Sequence, residues 1–208
     1  MAASAWNDNG MAGRVQEPAA IYRSDFFPGL GWMLTRRIWN ELGPKWPEAF
    51  WDDWLREPEQ RQGRHFLRPE ICRTYHFGNV GASGGQFAEL WESVYLNDRP
   101  VDFSIVDLSY IRSEEIYDEW LGQELNRARL LTIDTLQRVV ESGKSDALLY
   151  GTVWKIQYRS LSHDFTQITR ILGLYTDLKA GIPRTAYKGI VTVRVLRARV
   201  HIVPLAAS

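Results

Sequence analysis

Ser4-Ala5-Trp6-Asn7-Asp8-Asn9-Gly10 is the stretch on which the reading of the fold turns. Small and aromatic residues up to Trp6 read as the end of a buried strand, and the four residues after it as the turn that closes it. A strand and turn within the first ten residues have nothing before them to pair with, so the chain reads as starting inside a sheet.

Outward from that point, Ile21-Tyr22-Arg23 is a short strand candidate, followed by the turn-rich Phe27-Pro28-Gly29-Leu30-Gly31. Thr35 caps a helix through Leu42 with Ile38 and Leu42 on one face, and Gly43-Pro44 stops it. Trp51-Asp52-Asp53-Trp54-Leu55-Arg56 reads as a helical turn ending before Pro58, and Cys72 to Phe77 as a strand. Residues 78–85 hold four glycines in eight positions and read as a mobile loop.

After about Arg112 the texture changes. Ser113-Glu114-Glu115 opens an acidic-first helix carrying Ile116, Trp120 and Leu121. Leu149 to Tyr158 alternates like a strand, with Trp154, Ile156 and Tyr158 on one side. Ser162 caps a helix bearing Phe165, Ile168 and Leu172, closed by Gly173. Ile190 to Val195 and Arg199 to Val203 form a final antiparallel pair, and the half they end is α+β.

Composition narrows the function classes. The 208 residues carry 25 basic and 25 acidic side chains, a balance that argues against a polyanion binder. No apolar run approaches the roughly 20 residues needed to span a bilayer, and Met1 to Gly10 lacks the basic and apolar regions of a signal peptide. Cys72 is the single cysteine, which excludes an intrachain disulfide and a cysteine-based zinc site. Six of nine tryptophans lie within the first 54 residues, which points to a dense aromatic core or to a surface that stacks on rings.

Asp52-Asp53 is the first chemical candidate. Neighbours on a helix diverge by about 100°, so at most one faces a given site, and an Asp52–Arg56 pair at i,i+4 is the structural alternative. The glycine-rich loop could offer backbone N–H groups and the Ser83 hydroxyl to a phosphate, or act as a lid, or be plain linker. It spells neither a Walker nor a dinucleotide fingerprint. The four histidines show no paired metal spacing, and no Gly-x-Ser-x-Gly elbow supports a hydrolase triad.

At these residues a resemblance emerges. Ser4 to Gly10, Tyr22-Arg23-Ser24-Asp25-Phe26-Phe27-Pro28-Gly29-Leu30-Gly31-Trp32, Pro44-Lys45-Trp46-Pro47 and Phe50-Trp51-Asp52-Asp53-Trp54 resemble the N-acetylglucosaminyltransferase I family. So do Arg56 to Arg64, Arg68-Pro69-Glu70, Asp107 to Tyr110, Gly181-Ile182-Pro183-Arg184, Tyr187 to Val191 and Arg199-Val200-His201. The resemblance runs over nearly the whole chain and is thinner between about 114 and 150.

It implies an α/β fold: the C-terminal part of a GT-A type nucleotide-sugar transferase domain over residues 1–78, a donor-covering loop and linker over 79–113, and a smaller α+β domain over 114–208. The implied reaction is inverting transfer of GlcNAc from UDP-GlcNAc, with manganese (Mn2+), to the 2-hydroxyl of the α-1,3-linked mannose of a mannose-rich N-glycan. Asp52 matches the family's catalytic base, Ser83 a donor contact in the loop, Trp51 and Leu30 positions lining the donor sugar pocket, and Arg64 a basic position supporting the site. An aspartate is ionised at neutral pH without special tuning, as a base must be.

The family's metal ligand and nucleotide-binding strands lie upstream of the Ser4 motif, so the chain reads as a fragment without them. The implied location is the lumenal side of the Golgi membrane, through an anchor outside these residues. Ala2 and Phe66 stand where the family has a cysteine pair, and Cys72 is elsewhere. Two alternatives remain: a non-catalytic remnant that binds mannose glycans, and the related O-mannose N-acetylglucosaminyltransferase.

Overall fold

The computed structural model describes residues 1–76, 88–143 and 152–205. The fold is mixed α/β and is built on two four-stranded sheets. The first uses β1 (Ala2–Ser4), β2 (Ile21–Ser24), β3 (Trp32–Leu34) and β4 (Phe66–Pro69), in the order β2-β4-β1-β3. The opening strand finds its partners downstream. It pairs antiparallel with β3, placing Ala2 opposite Leu34, and parallel with β4, placing Ala3 opposite Leu67.

Helices α1 (Arg36–Leu42) and α2 (Trp51–Arg56) contribute the apolar faces that close this sheet. Thr35 caps α1 as its sequence indicates, with its hydroxyl accepting from the Ile38 amide. Helix α2 has only six residues, too few to be stable alone, so packing must hold it. Leu55 is fully buried beside Phe27, Phe66, Ile38 and Leu42. Ala2 and Phe66 lie in this same core. Glu57 is extended because Pro58 follows it, and Pro58 then starts α3 (Pro58–Arg61), where its missing N–H costs nothing.

Most of the early tryptophans serve the core. Trp46 stacks on Trp32 at 6.1 Å and on Trp51 at 6.2 Å, and Trp54 meets it edge-on at 5.4 Å. Trp39 closes one side of the stack and is 49% exposed.

The described part of residues 88–113 contributes α4 (Ala88–Glu92) and two isolated bridges to the first half, Met11 with Val94 and Cys72 with Leu96. The second half follows with α5 (Glu114–Arg127), β5 (Arg129–Leu130), α6 (Ile133–Ser142), β6 (Val153–Tyr158) and α7 (Thr166–Leu172). A short hairpin of β7 (Leu178–Lys179) and β8 (Ile182–Pro183) precedes β9 (Val191–Val195) and β10 (Ala198–Pro204). The sheet order is β5-β6-β10-β9, with β10 antiparallel to β9, as the sequence indicates, and parallel to β6. Its inner face packs Ile156, Val193, Val200 and Ile202 against Phe165, Ile168 and Leu172.

Polar contacts tie the two halves together. Arg194 of β9 pairs with Glu70, Arg184 reaches Asp8 at 2.6 Å, and the Lys188 amide donates to Asp25 at 2.7 Å. Asp25 also accepts from Arg61 and lies 2.6 Å from His65 Nδ1. Burial opposes ionisation of Asp25, but the His65 and Lys188 hydrogen bonds outweigh it and hold the carboxyl below its ordinary range.

Several expectations need correction. The strand expected at Cys72–Phe77 is instead Phe66–Pro69; within the described residues Cys72 makes one isolated bridge, and Phe77 lies outside them. On α5 the inward face is Tyr117 and Leu121, while Ile116 is 41% exposed. Tyr117 faces inward because its ring meets Tyr187 edge-on at 4.8 Å. Ser162 sits inside a single wide π-type turn, Leu161–Phe165, rather than capping. Asp164 is the residue that accepts the Arg159 amide there, at 2.9 Å. Gly173 does close α7, in the left-handed conformation at φ 64°. The glycine-rich loop, with Ser83, lies outside the described residues.

Candidate active site

Helix α2 places Asp52 and Asp53 in its first turn, where carboxylates complement the helix dipole. Arg56 follows at i+4 from one and i+3 from the other, so both reach it. Its Nη1 lies 3.0 Å from Asp52 Oδ2 and 2.7 Å from Asp53 Oδ1. The Asp52–Arg56 pair at i,i+4, which the sequence offers as the structural alternative, is formed, and Asp53 shares the same guanidinium. Their side chains diverge along the helix, but a long residue one turn on bridges them.

Arg56 itself is fixed. Its side chain is 8% exposed, its Nε donates to the Phe27 carbonyl at 3.2 Å, and its guanidinium lies 4.6 Å above the Phe26 ring. A buried guanidinium is costly unless paired, and two carboxylates, one carbonyl and one aromatic face meet that requirement.

A third element reaches the same place. Lys179, on the β7–β8 hairpin of the second half, sets its Nζ 3.4 Å from Asp53 Oδ1 and 3.5 Å from Oδ2. Burial works against ionisation of Asp53, but Arg56 and then Lys179 outweigh it and hold that carboxyl below its usual range. Arg184 secures the hairpin through Asp177 at 2.8 Å and Asp8 at 2.6 Å. Neither Lys179 nor the Asp53–Arg56 pair was singled out in the sequence. Only the i,i+3 spacing of Asp53 and Arg56 was available to suggest the second.

The Pro28-Gly29-Leu30 segment forms the neighbouring wall. A side chain at Gly29 would sit 3.6 Å from both Arg56 Nη2 and the Asp52 β-carbon, so this backbone runs directly beside the carboxylate. Gly31 turns the chain at φ 55°, and a β-carbon there would press on Ala5 and Thr74 at 3.0 Å. Leu30 packs toward Trp6 and Cys72, while Trp51 contacts Phe27, Trp32 and Trp46. Asp52, Trp51 and the Leu30 segment thus share one region. Arg64 does not join them through any described contact: it is held bidentate by Glu41, with both bonds at 2.7 Å.

The aspartates are 41% and 46% exposed, so solvent and a ligand can reach them. Among the described residues nothing hydrogen-bonds Asp52 Oδ1. One carboxylate oxygen is anchored and the other is open, an arrangement suited to accepting a proton from a bound hydroxyl. A polar cleft of about 520 Å³ between α6 and α7, lined by Gln137, His163, Gln167 and Arg170, contains none of these residues.

The GNT-I family model matches residues 1–207. The chain belongs to the GNT-I family. It is 46% identical over 200 residues to the alpha-1,3-mannosyl-glycoprotein 2-beta-N-acetylglucosaminyltransferase of Arabidopsis thaliana, which covers 96% of this chain. This GNT-I family chain spans 43% of that relative's length.

Among the described residues no group of three histidine, cysteine or carboxylate side chains is placed to hold a metal. The exposed carboxylate pair is already balanced by Arg56 and Lys179, two cations that a divalent ion would have to displace. These residues do not fit a manganese site.

Proposed function

We propose that this chain carries the catalytic base and the acceptor side of an N-acetylglucosaminyltransferase that moves GlcNAc from UDP-GlcNAc to the 2-hydroxyl of an α-1,3-linked mannose on N-glycans. The observation that carries the reading is the open Oδ1 of Asp52, beside an oxygen held by Arg56, in a chain of the GNT-I family. Asp52 takes the proton as the mannose oxygen forms its bond to the anomeric carbon from the face opposite UDP. The bond from that carbon to the diphosphate breaks, UDP leaves, and the configuration inverts. A positioned base supplies about 10²–10⁴-fold in rate.

In this reading the first sheet is the C-terminal part of a GT-A type domain and the second belongs to a smaller C-terminal domain. Trp51 and Leu30 line the donor sugar pocket, and Ser83 contacts the donor. Manganese is held by residues other than the described ones, and the enzyme acts in the Golgi lumen.

The test uses the full-length enzyme with UDP-GlcNAc and a five-mannose N-glycan. Asp52→Asn should lower kcat by about 10²–10⁴-fold with both KM values nearly unchanged. Retention of kcat within about threefold would rule out Asp52 as the base.

A second reading, glycan binding without transfer, draws on Phe50 and Trp39, which are 78% and 49% exposed beside the tryptophan stack. Mannose-glycan titration separates the two. Binding that survives Asp52→Ala, in a full-length protein without transferase activity, supports this second reading.

A further inference from the structure

We propose that Arg56 is the positioning residue of this site, holding Asp52 so that Oδ1 is presented to the acceptor hydroxyl, while Lys179 withdraws Asp53 from the same role. The proposal rests on the reading of Asp52 as the base.

The two aspartates are near equivalents in sequence, exposure and distance to Arg56 Nη1. Their second oxygens differ. Lys179 Nζ lies within 3.5 Å of both oxygens of Asp53, whereas Asp52 keeps Oδ1 without a partner among the described residues. A carboxylate whose oxygens are both occupied by cations is a poor proton acceptor. The geometry therefore selects Asp52 over its neighbour without reference to any relative.

Presentation of Oδ1 requires a defined rotamer. A half-exposed aspartate otherwise samples several staggered wells, and misplacement by 1 Å can cost about 10²-fold in rate. Arg56 can impose that rotamer because it is immobile. Phe26 and Phe27 are fully buried, and they hold the guanidinium by a ring face and a backbone carbonyl. Rigidity passes from the core through Arg56 to the open oxygen. The charged groups facing Asp52 are Asp53 and Arg56 on its own helix, with Lys179 reaching Asp53 from the hairpin. The adjacent Pro28-Gly29-Leu30 wall contributes none.

The experiment compares Asp52→Asn, Arg56→Gln and the double variant in the full-length enzyme. Arg56→Gln should lower kcat by about 10²-fold, with donor and acceptor KM within about twofold of wild type. In the Asp52→Asn background the same change should add less than about threefold, because Arg56 acts through the carboxylate already lost. If Arg56→Gln does not fold, Arg56→Lys takes its place. The ammonium keeps the charge but loses the planar fork and the Nε–H to Phe27, and kcat should fall about tenfold at unchanged KM.

A folded Arg56 variant with kcat within about threefold of wild type overturns the proposal, as does an additive loss in the Asp52→Asn background. Failure of the underlying reading looks different. In that case Asp52→Asn itself stays active, whatever Arg56 does.

Discussion

Arg194 and Glu70 form a buried two-pronged pair across the junction of the two halves, with Nε at 3.0 Å from Oε1 and Nη2 at 3.1 Å from Oε2. The same carboxylate accepts the Gln16 and Glu17 amides and the Tyr22 hydroxyl, each at 2.8 Å. Five donors on one carboxylate fix the loop before β2, the end of β4 and the edge strand β9 of the second sheet together.

Removing that charge should be costly. Glu70→Gln keeps the shape but leaves Arg194 buried without its counter-charge, and breaking one side of a buried pair costs about 3–5 kcal/mol. Thermal or urea unfolding of the variant measures the loss. A change below about 1 kcal/mol would show that the junction does not depend on this pair.

Acid should weaken the fold through carboxylates of this kind. Burial opposes ionisation of Glu70, but the Arg194 hydrogen bond and charge prevail and hold its carboxyl below the ordinary range. Glu124 behaves alike: burial resists, yet His201, Arg199 and Arg127 bring it to about 2. A folded-state value below the unfolded one gives stability that is fully present above the unfolded value, about 4.3, and is lost as pH falls. The contribution of these carboxylates should therefore be complete above about pH 5.5 and decline from about pH 5 toward 2, with a shallower decline in Glu124→Gln. Urea midpoints measured across that range provide the check.

Phe50 should be replaceable by glycine with a gain in stability. It adopts φ 54° and ψ 35° just before α2, and its side chain is 78% exposed. A left-handed non-glycine residue costs about 1–3 kcal/mol, partly offset by the extra chain entropy that glycine loses. Phe50→Gly should raise stability by about 0.5–1 kcal/mol, read as a higher melting temperature. A lower melting temperature would mean that the ring packs more than its exposure indicates.

Cys72 should resist thiol reagents until the chain opens. It is fully buried, its Sγ accepts the Asn7 amide at 3.1 Å, and burial pushes its thiol up to about 12. Labelling with a disulfide reagent at pH 8 should track unfolding in urea. Rapid labelling of the native chain would contradict the burial.

What the amino-acid order determined here is short in range. Thr35 and Ser113 cap helices because a side-chain oxygen reaches an amide three residues on. Gly173 ends α7 because it enters the left-handed region without strain, and alternation marks β6, β9 and β10. The Asp52–Arg56 pair is legible because i,i+4 residues share a helix face. The family is legible because long runs such as Phe50 to Trp54 carry more information than any single motif.

Tertiary structure alone decided the rest. β1 takes its partners far downstream, with Ala3 opposite Met33 on one side and Leu67 on the other, and no local preference specifies them. Lys179 meets Asp53 across 126 positions, and Arg194 meets Glu70 across 124. Such contacts depend on which apolar faces are buried first, and on the cost of leaving a charge unpaired once they are. That cost brings Lys179 and Arg56 to the aspartates, and it separates the open oxygen of Asp52 from the occupied ones of Asp53.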